Sequence, residues 1–234
     1  MTKLRNRHIR SLLVLCAAAV LLAVGSTVAF FSSRDESTNR FSSGGFDILL
    51  TETDWDPNAA RNVVPGDELP KNPQVTNNAP TPGYIFFRVT VPADTLEVES
   101  DLGAPLGTAS QVPMYKFMVR DGEGYAADTS YSAAQRVRSA WKSVGSPVYS
   151  ALDKAYVYVY AYSTDGSSLT PLAEGQTTEP LFDRLRVWNF NEGYDPEQNH
   201  SVLVEAFGIQ SDLPDHTAEQ IAAIWTLASG GGAG

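Results

Sequence analysis

The sequence has a single cysteine among its 234 residues, Cys16, and that cysteine lies inside an apolar stretch near the N-terminus. The chain after residue 29 therefore cannot form a disulfide of its own and has no thiol nucleophile. Its stability must come from burial of apolar side chains and from backbone hydrogen bonding.

Histidine is almost as scarce, with only three residues in the chain. Two of them, His200 and His216, follow residue 29, and they do not have the spacing of a His-Glu-x-x-His or other zinc motif. The sequence also lacks a Gly-x-Ser-x-Gly elbow, a Walker loop and a dinucleotide fingerprint. It therefore predicts a protein that is not an enzyme, with no catalytic residues, no metal ligands and no cofactor.

Positive charge is scarce outside the first 29 residues. Those 29 residues hold four of the 17 basic residues and no acid, so the remainder carries 13 basic and 27 acidic residues, a formal net charge of −14. Such an acidic body repels phosphates and anionic lipid headgroups, which argues against a nucleic acid or a membrane surface as partner.

Several short acidic clusters are candidates for calcium binding, but none has the ligand spacing of an EF-hand. The favoured interpretation is that these carboxylates stabilise turns, and calcium dependence stays open. The clusters are Asp54-Trp55-Asp56, Asp121-Gly122-Glu123, and Asp212 with Asp215.

The N-terminus has the three regions of a secretory signal peptide. Residues 1–10 are basic, residues 12–24 are uniformly apolar, and residues 25–29 are small enough for cleavage after Ala29, which makes Phe30 the new N-terminus. The alternative is a retained anchor, but a membrane-spanning helix needs about 20 apolar residues. The pattern predicts export, with residues 1–29 removed and no stable membrane insertion afterwards.

The rest of the chain has the pattern of an antiparallel β protein. Segments rich in β-branched and aromatic residues are separated by clusters of proline, glycine and asparagine, which cannot lie inside central strands. We expect one all-β domain over residues 46–228, a jelly-roll-like β-sandwich with minor helices. The predicted strands are 46–52, 74–76, 84–91, 114–119, 156–162, 181–188 and 201–209.

Four tyrosines alternate along one of these strands, at positions 156, 158, 160 and 162. They share one face, which has two interpretations: a stacking platform for a glycan, or a packed sheet face. The packed face is the favoured one.

Two segments have apolar residues at helical spacing. The first is 131–144, with Val137, Ala140, Trp141 and Val144, and it predicts a short surface helix. The second is 217–227, which opens with a Thr-x-x-Gln capping box and carries a stripe of Ile221, Ile224, Trp225 and Ala228 that we expect to pack against the sheet. The last residues, 229–234, are glycine-rich and predict a flexible tail.

Several segments, taken in their order along the chain, resemble the TasA/camelysin family of exported proteins from Gram-positive bacteria. Residues 25–31 (GSTVAFF), the polar residues after them and Phe41 are similar to the signal junction that a SipW-type signal peptidase cleaves in this family. Three further blocks are similar to the family's, the last of them with the later Trp225. The blocks are residues 65–89, 179–182 and 206–210.

The resemblance implies a jelly-roll subunit that assembles into biofilm-matrix fibres. In fibre-forming members, the N-terminal segment of one subunit completes the sheet of its neighbour. Carried over to this chain, the donor segment occupies residues 30–45, with Phe30, Phe31, Ser32 and Phe41 as donor residues. The implied partners are further copies of this chain, or related matrix subunits, and the signal peptidase during export. The implied location is the extracellular matrix or cell surface.

Two other functions stay open at this point. A monomeric cell-surface adhesin is the main alternative. A secreted metallopeptidase is a weaker one, because camelysin-like members have been described as metalloproteases but no zinc motif is present here.

Overall fold

The computed structural model describes residues 38–43, 46–55, 64–192 and 201–211. Within these ranges the protein is all-β and its strand pairs are antiparallel. The same ranges contain no α-helix, and hence none of the length and apolarity needed to cross a bilayer. The strands are β1 (Thr38–Ser43), β2 (Phe46–Glu52), β3 (Glu68–Pro70), β4 (Pro73–Asn77), β5 (Gly83–Glu99), β6 (Ser110–Pro113), β7 (Tyr115–Asp121), β8 (Gly124–Ala127), β9 (Trp141–Ser143), β10 (Val148–Ser150), β11 (Ala155–Tyr162), β12 (Arg184–Val187), β13 (Asn189–Glu192) and β14 (Leu203–Gln210).

Strand β5 is the centre of the first sheet. Its N-terminal part pairs with β11 on one side and with β14 on the other. Its C-terminal part pairs with β6 and β13, and β9 and β10 pair with β11. The 17 residues of β5 therefore have partners along nearly their whole length.

The second layer is formed by two smaller sheets, β1-β2-β4 and β3-β12-β7-β8. Backbone hydrogen bonds connect them, from Leu181 N to Pro73 O at 3.0 Å and from Lys71 N to Asp183 O at 3.2 Å. The layers face each other through aromatic contacts: the Phe117 ring of β7 lies 5.8 Å from Tyr158 and 6.5 Å from Tyr160 of β11. This packing of sheet on sheet is sandwich-like.

Side-chain alternation along β5 explains why it lies in the core. The inward residues Ile85, Phe87, Val89 and Val91 are each 0% exposed, as the period of two in a half-buried strand requires. After the buried residues Pro92 and Ala93, the buried residues are Leu96 and Val98, so the inward face moves from odd to even positions. The change occurs where β5 leaves β11 and pairs with β6 instead.

The predicted all-β sandwich is confirmed, and so are most of its strands. Strand β2 has the predicted bounds, and β11 and β14 each differ by one or two residues at their ends. Strand β5 is longer than the predicted 84–91, because the chain stays extended through Pro92. Pro92 lies opposite Ala155, and its carbonyl accepts a hydrogen bond from Met114 N at 2.8 Å.

The predicted helix over 131–144 is wrong. Polar groups of this segment bond to β7 instead of forming helical bonds: Gln135 accepts from Phe117 N and donates to Tyr115 O, each at 2.9 Å. Lys116 Nζ donates to the carbonyls of Ser132 and Ala134. Trp141 begins β9, where it lies opposite Tyr162. The predicted helix over 217–227 and the tail 229–234 lie outside the described residues.

Candidate functional site

Of the residues predicted at the cleavage and strand-donation sites, one, Phe41, lies in the described ranges. Ala29, Phe30, Phe31 and Ser32 lie outside them. Phe41 belongs to β1, where it lies opposite Ile48 of the same chain. The candidate site is therefore the N-terminal sheet edge, defined as strands β1 and β2 together with the groups that hold β2 in place.

Strands β1 and β2 form a hairpin in regular register. Six successive pairs run from Ser43 opposite Phe46 to Thr38 opposite Thr51. The register leaves Gly44-Gly45 as a two-residue connection, a dipeptide typical of tight hairpin turns. Strand β1 is the terminal strand of its sheet, whereas β2 also pairs with β4.

The start of β2 is held by Phe46. Its ring lies against the backbone of two neighbouring strands at Gly83 and Gly208, where an added Cβ would lie 2.1 Å and 2.6 Å from ring carbons. No other residue type fits so close to an aromatic ring. Ile48 and Leu50 follow on the same face and are 1% and 2% exposed.

The end of β2 is held by a buried ion pair. Lys71 Nζ lies 2.7 Å from the Glu52 carboxylate, and the side chains are 6% and 9% exposed. The ammonium also lies 4.2 Å from the centroid of the Trp55 ring, a cation–π contact. Burial lowers the pKa of Lys71, and the charge and hydrogen bond of Glu52 oppose that shift.

A short polar network extends this anchor. Asn72 Nδ2 donates to Thr53 Oγ1 at 2.8 Å, and Asn72 Oδ1 accepts from Asp54 N at 2.9 Å. These bonds tie the residues after β2 to those before β4. Strand β2 is thus fixed at both ends by buried side chains.

Strands β1 and β2 therefore differ in how they can pair with another chain. Strand β2 is a fixed surface of backbone donors and acceptors with β4 on one side. Strand β1 occupies its other side and is followed by no further strand of that sheet in the described ranges. A terminal strand presents unpaired N–H and C=O groups, which are a template for pairing with another chain.

The other candidate groups have structural surroundings. The Asp121 carboxylate pairs with Arg136 at 3.0 Å, and the backbone N–H of Asp54 donates to Asn72 Oδ1. Over the described ranges, no three His, Cys, Asp or Glu side chains lie close enough together to hold a metal ion. His200, His216, Asp56, Asp212 and Asp215 lie outside those ranges.

The tyrosine strand is a packed face, as favoured. Tyr158 and Tyr160 are 4% and 2% exposed, and their rings stack at 6.3 Å with an interplanar angle of 3°. Burial raises the pKa of both tyrosines. Rings that fill the core do not form a glycan platform.

Lys116 is a second buried lysine that the sequence did not single out. Its ammonium donates to two backbone carbonyls, at 3.0 Å and 2.6 Å, and lies 5.2 Å from the Trp188 ring centroid. Burial lowers its pKa to about 8. Its contacts hold the segment after β8 against β7, which is a structural role.

Sequence reasoning missed the anchors of β2. A signal for one of them exists: Gly208 lies within the strand pattern Phe207-Gly208-Ile209, and glycine inside a strand often marks close approach of another group. The Lys71–Glu52 pair has no such signal, because the two residues are 19 positions apart and meet only through strand pairing.

Comparisons of this chain with protein-family models, with curated proteins and with solved structures found no match.

Proposed function

We propose that this chain is an exported structural subunit of an extracellular biofilm-matrix fibre, joined to its neighbours by donation of its N-terminal strand. The observation that carries the proposal is the position of β1. This strand contains Phe41, is the terminal strand of its sheet, and is connected to the anchored β2 by two glycines. The resemblance of the signal junction and of three later blocks to the TasA/camelysin family supports the same function.

Exchange of β1 between two subunits preserves the backbone hydrogen bonds of the sheet. The backbone hydrogen bonds between β1 and β2 are the same whether both strands come from one chain or from two. Opening the hairpin at Gly44-Gly45 exposes the edge of β2, and β1 of a second subunit fills it in the same register, with Phe41 opposite Ile48. The anchors at Phe46 and Lys71 keep β2 in place as the acceptor.

Cleavage after Ala29 is the step that permits exchange in this proposal. Before cleavage, the donor segment is attached to an apolar stretch that stays at the membrane. After cleavage, Phe30, Phe31 and Ser32 extend the donor beyond β1 and add pairing to the neighbouring subunit. A SipW-type signal peptidase and a second copy of the chain are the partners that this sequence of events requires.

A reversible lock across the hairpin tests the exchange. A two-residue hairpin closes on a hydrogen-bonded pair, so Thr38 and Thr51 fall in a non-hydrogen-bonded pair, whose Cα atoms are about 4.5 Å apart and suit a disulfide. The chain from Phe30 has no other cysteine. Oxidised Thr38→Cys/Thr51→Cys protein is expected to stay monomeric, and reduction is expected to restore fibres, by electron microscopy and sedimentation.

The matched control is the β7–β8 hairpin, which also has a two-residue loop. The pair Arg120→Cys/Tyr125→Cys also lies at a non-hydrogen-bonded position, the second pair from the loop of that hairpin. Its oxidation is expected to leave fibre formation unchanged. Fibres from the oxidised β1–β2 lock would contradict strand exchange.

A truncation separates assembly from folding. Protein that begins at Phe30 is expected to form fibres, whereas protein that begins at Gly44 is expected to fold and remain monomeric. If both are folded monomers at high concentration, self-assembly is wrong and a surface-binding module becomes the better function.

Stoichiometric tightly bound zinc, with activity lost on changing His200 or His216, would instead indicate the metallopeptidase.

A further inference from the structure

The outward face of the first sheet carries an apolar cluster that is separate from the core. Phe86 and Ala161 form its centre and are both 0% exposed, although they point away from the second layer. The outward face of a two-layer sandwich is ordinarily polar and solvated. The half-buried apolar residues packed around this centre are Tyr84, Val144, Val159, Leu169, Phe207 and Ile209.

The strand register places these residues in rows. Ala161, Phe86 and Phe207 lie opposite one another across β11, β5 and β14, and Ile209 lies opposite Tyr84 in the next row. Beside them, Arg88 and Glu205 form an ion pair at 3.4 Å with side chains only 11% and 24% exposed. Both apolar and charged groups of this face are thus largely removed from water.

The chain itself supplies an occupant for this face. Strand β14 ends at Gln210, next to Ile209 of the cluster, and residues 212–234 follow. Within them, Ile221, Ile224 and Trp225 have the spacing of one helical stripe. The six residue-to-residue steps from Ser211 to Thr217 span at most about 20 Å, enough to turn back across β14 and β5, which lie about 4.8 Å apart.

We propose that the segment 217–228 docks as an amphipathic helix on this outward cluster, with its stripe against Phe86, Phe207 and Ile209. The stripe is an apolar surface of matching width, because three neighbouring strands cover about 10 Å, the diameter of a helix. The docked segment makes the first sheet the middle layer of three and protects its face from contact with other subunits.

A spin label tests this placement in the chain from Phe30 to Gly234, kept dilute enough to remain monomeric. Ala223 lies opposite the stripe on a helix, so a nitroxide on Ala223→Cys does not disturb the contact. Its expected effect is loss of the NMR signals of Tyr84, Phe207 and Ile209, while those of Tyr125 in β8 are retained. Adding Trp225→Ala is expected to restore the lost signals, and adding Thr226→Ala, off the stripe, is expected to leave them lost.

A mixing experiment separates this segment from a second copy as the occupant. Spin-labelled protein without isotope is mixed with isotope-enriched protein without a label. Signal loss in the enriched protein would mean that a second copy covers the face, and would overturn the proposal. Retention of all signals in the singly labelled, enriched chain would overturn it as well, since the segment would then lie elsewhere.

Discussion

Strands β1 and β5 both form antiparallel pairs, but they differ in how many strands they pair with. Strand β5 has partners on both sides, and its inward side chains are completely buried. Among the described residues, strand β1 is terminal and pairs with β2 alone. The difference in pairing predicts that stability in this chain is concentrated in β5 and its neighbours. We therefore expect the edge to open at smaller cost than the centre, while the rest of the domain stays folded.

The largest expected effect comes from shortening a buried side chain of β5, the central strand of the first sheet. Phe87→Ala removes a ring that is 0% exposed and lies 4.7 Å from the Trp141 ring, so we expect the free energy of unfolding to fall by about 3–5 kcal/mol. Urea titration followed by fluorescence measures it. The matched control is Leu102→Ala, at a side chain 96% exposed, with an expected change of less than about 0.5 kcal/mol. Equal effects at both positions would contradict the comparison.

The second-largest expected effect comes from breaking the buried ion pair that anchors the end of β2. Lys71→Met leaves the Glu52 carboxylate buried without its cation, so we expect the free energy of unfolding to fall by about 3 kcal/mol. The double variant Lys71→Met/Glu52→Leu removes both charges and is expected to regain most of that loss. A double variant no more stable than the single one would show that the cost comes from lost packing at Trp55.

The next prediction concerns alkaline pH and a buried tyrosine of β11, next to the centre of the first sheet. Burial raises the pKa of Tyr160 in β11 above that of an exposed tyrosine. Above about pH 10 the unfolded chain loses this proton while the folded chain keeps it, so stability falls as pH rises. Tyr160→Phe is expected to lose less stability between about pH 8 and about pH 11, as measured by urea midpoints. Identical pH dependence in both proteins would exclude this tyrosine as the cause.

The smallest expected effect comes from a substitution in the connection between β1 and β2. Gly44→Asn supplies a residue that tight hairpin turns favour, and we expect it to stabilise the closed hairpin by about 0.5 kcal/mol. That corresponds to roughly twofold slower amide hydrogen exchange in β1. Gly122→Asn in the loop of the β7–β8 hairpin is the control and is expected to leave β1 exchange unchanged. Faster exchange in Gly44→Asn would contradict a turn of this type.

The strands were predictable where local alternation and burial agree. The segment FDILLTE has apolar residues at 46, 48 and 50, and these are the residues that β2 buries. The tyrosines of β11 and the apolar positions of β14 follow the same rule. A period of two is a local property, so no knowledge of partners is needed to detect it.

The failures have non-local causes. Trp141 and Val137 have helical spacing, but Trp141 pairs with Tyr162, 21 positions away in sequence, and tertiary contacts outweigh local propensity. The predicted strand 84–91 stops before Pro92, whereas β5 changes partners there and continues. In the candidate site, the family resemblance named Phe41 as a donor residue, which stays a prediction, and neither of the anchors of β2 was predicted from the sequence.

In the proposed fibre, the two-residue connection between β1 and β2 sets the subunit concentration that growth requires. A short linker holds its two ends at an effective concentration on the order of millimolar. A strand from another subunit competes with that value, so dilute subunits close on themselves. Under the proposed function, polymerisation by exchange is restricted to places where the protein is crowded, such as the surface from which it would be exported, and a subunit that diffuses away keeps its own β1 paired and does not assemble.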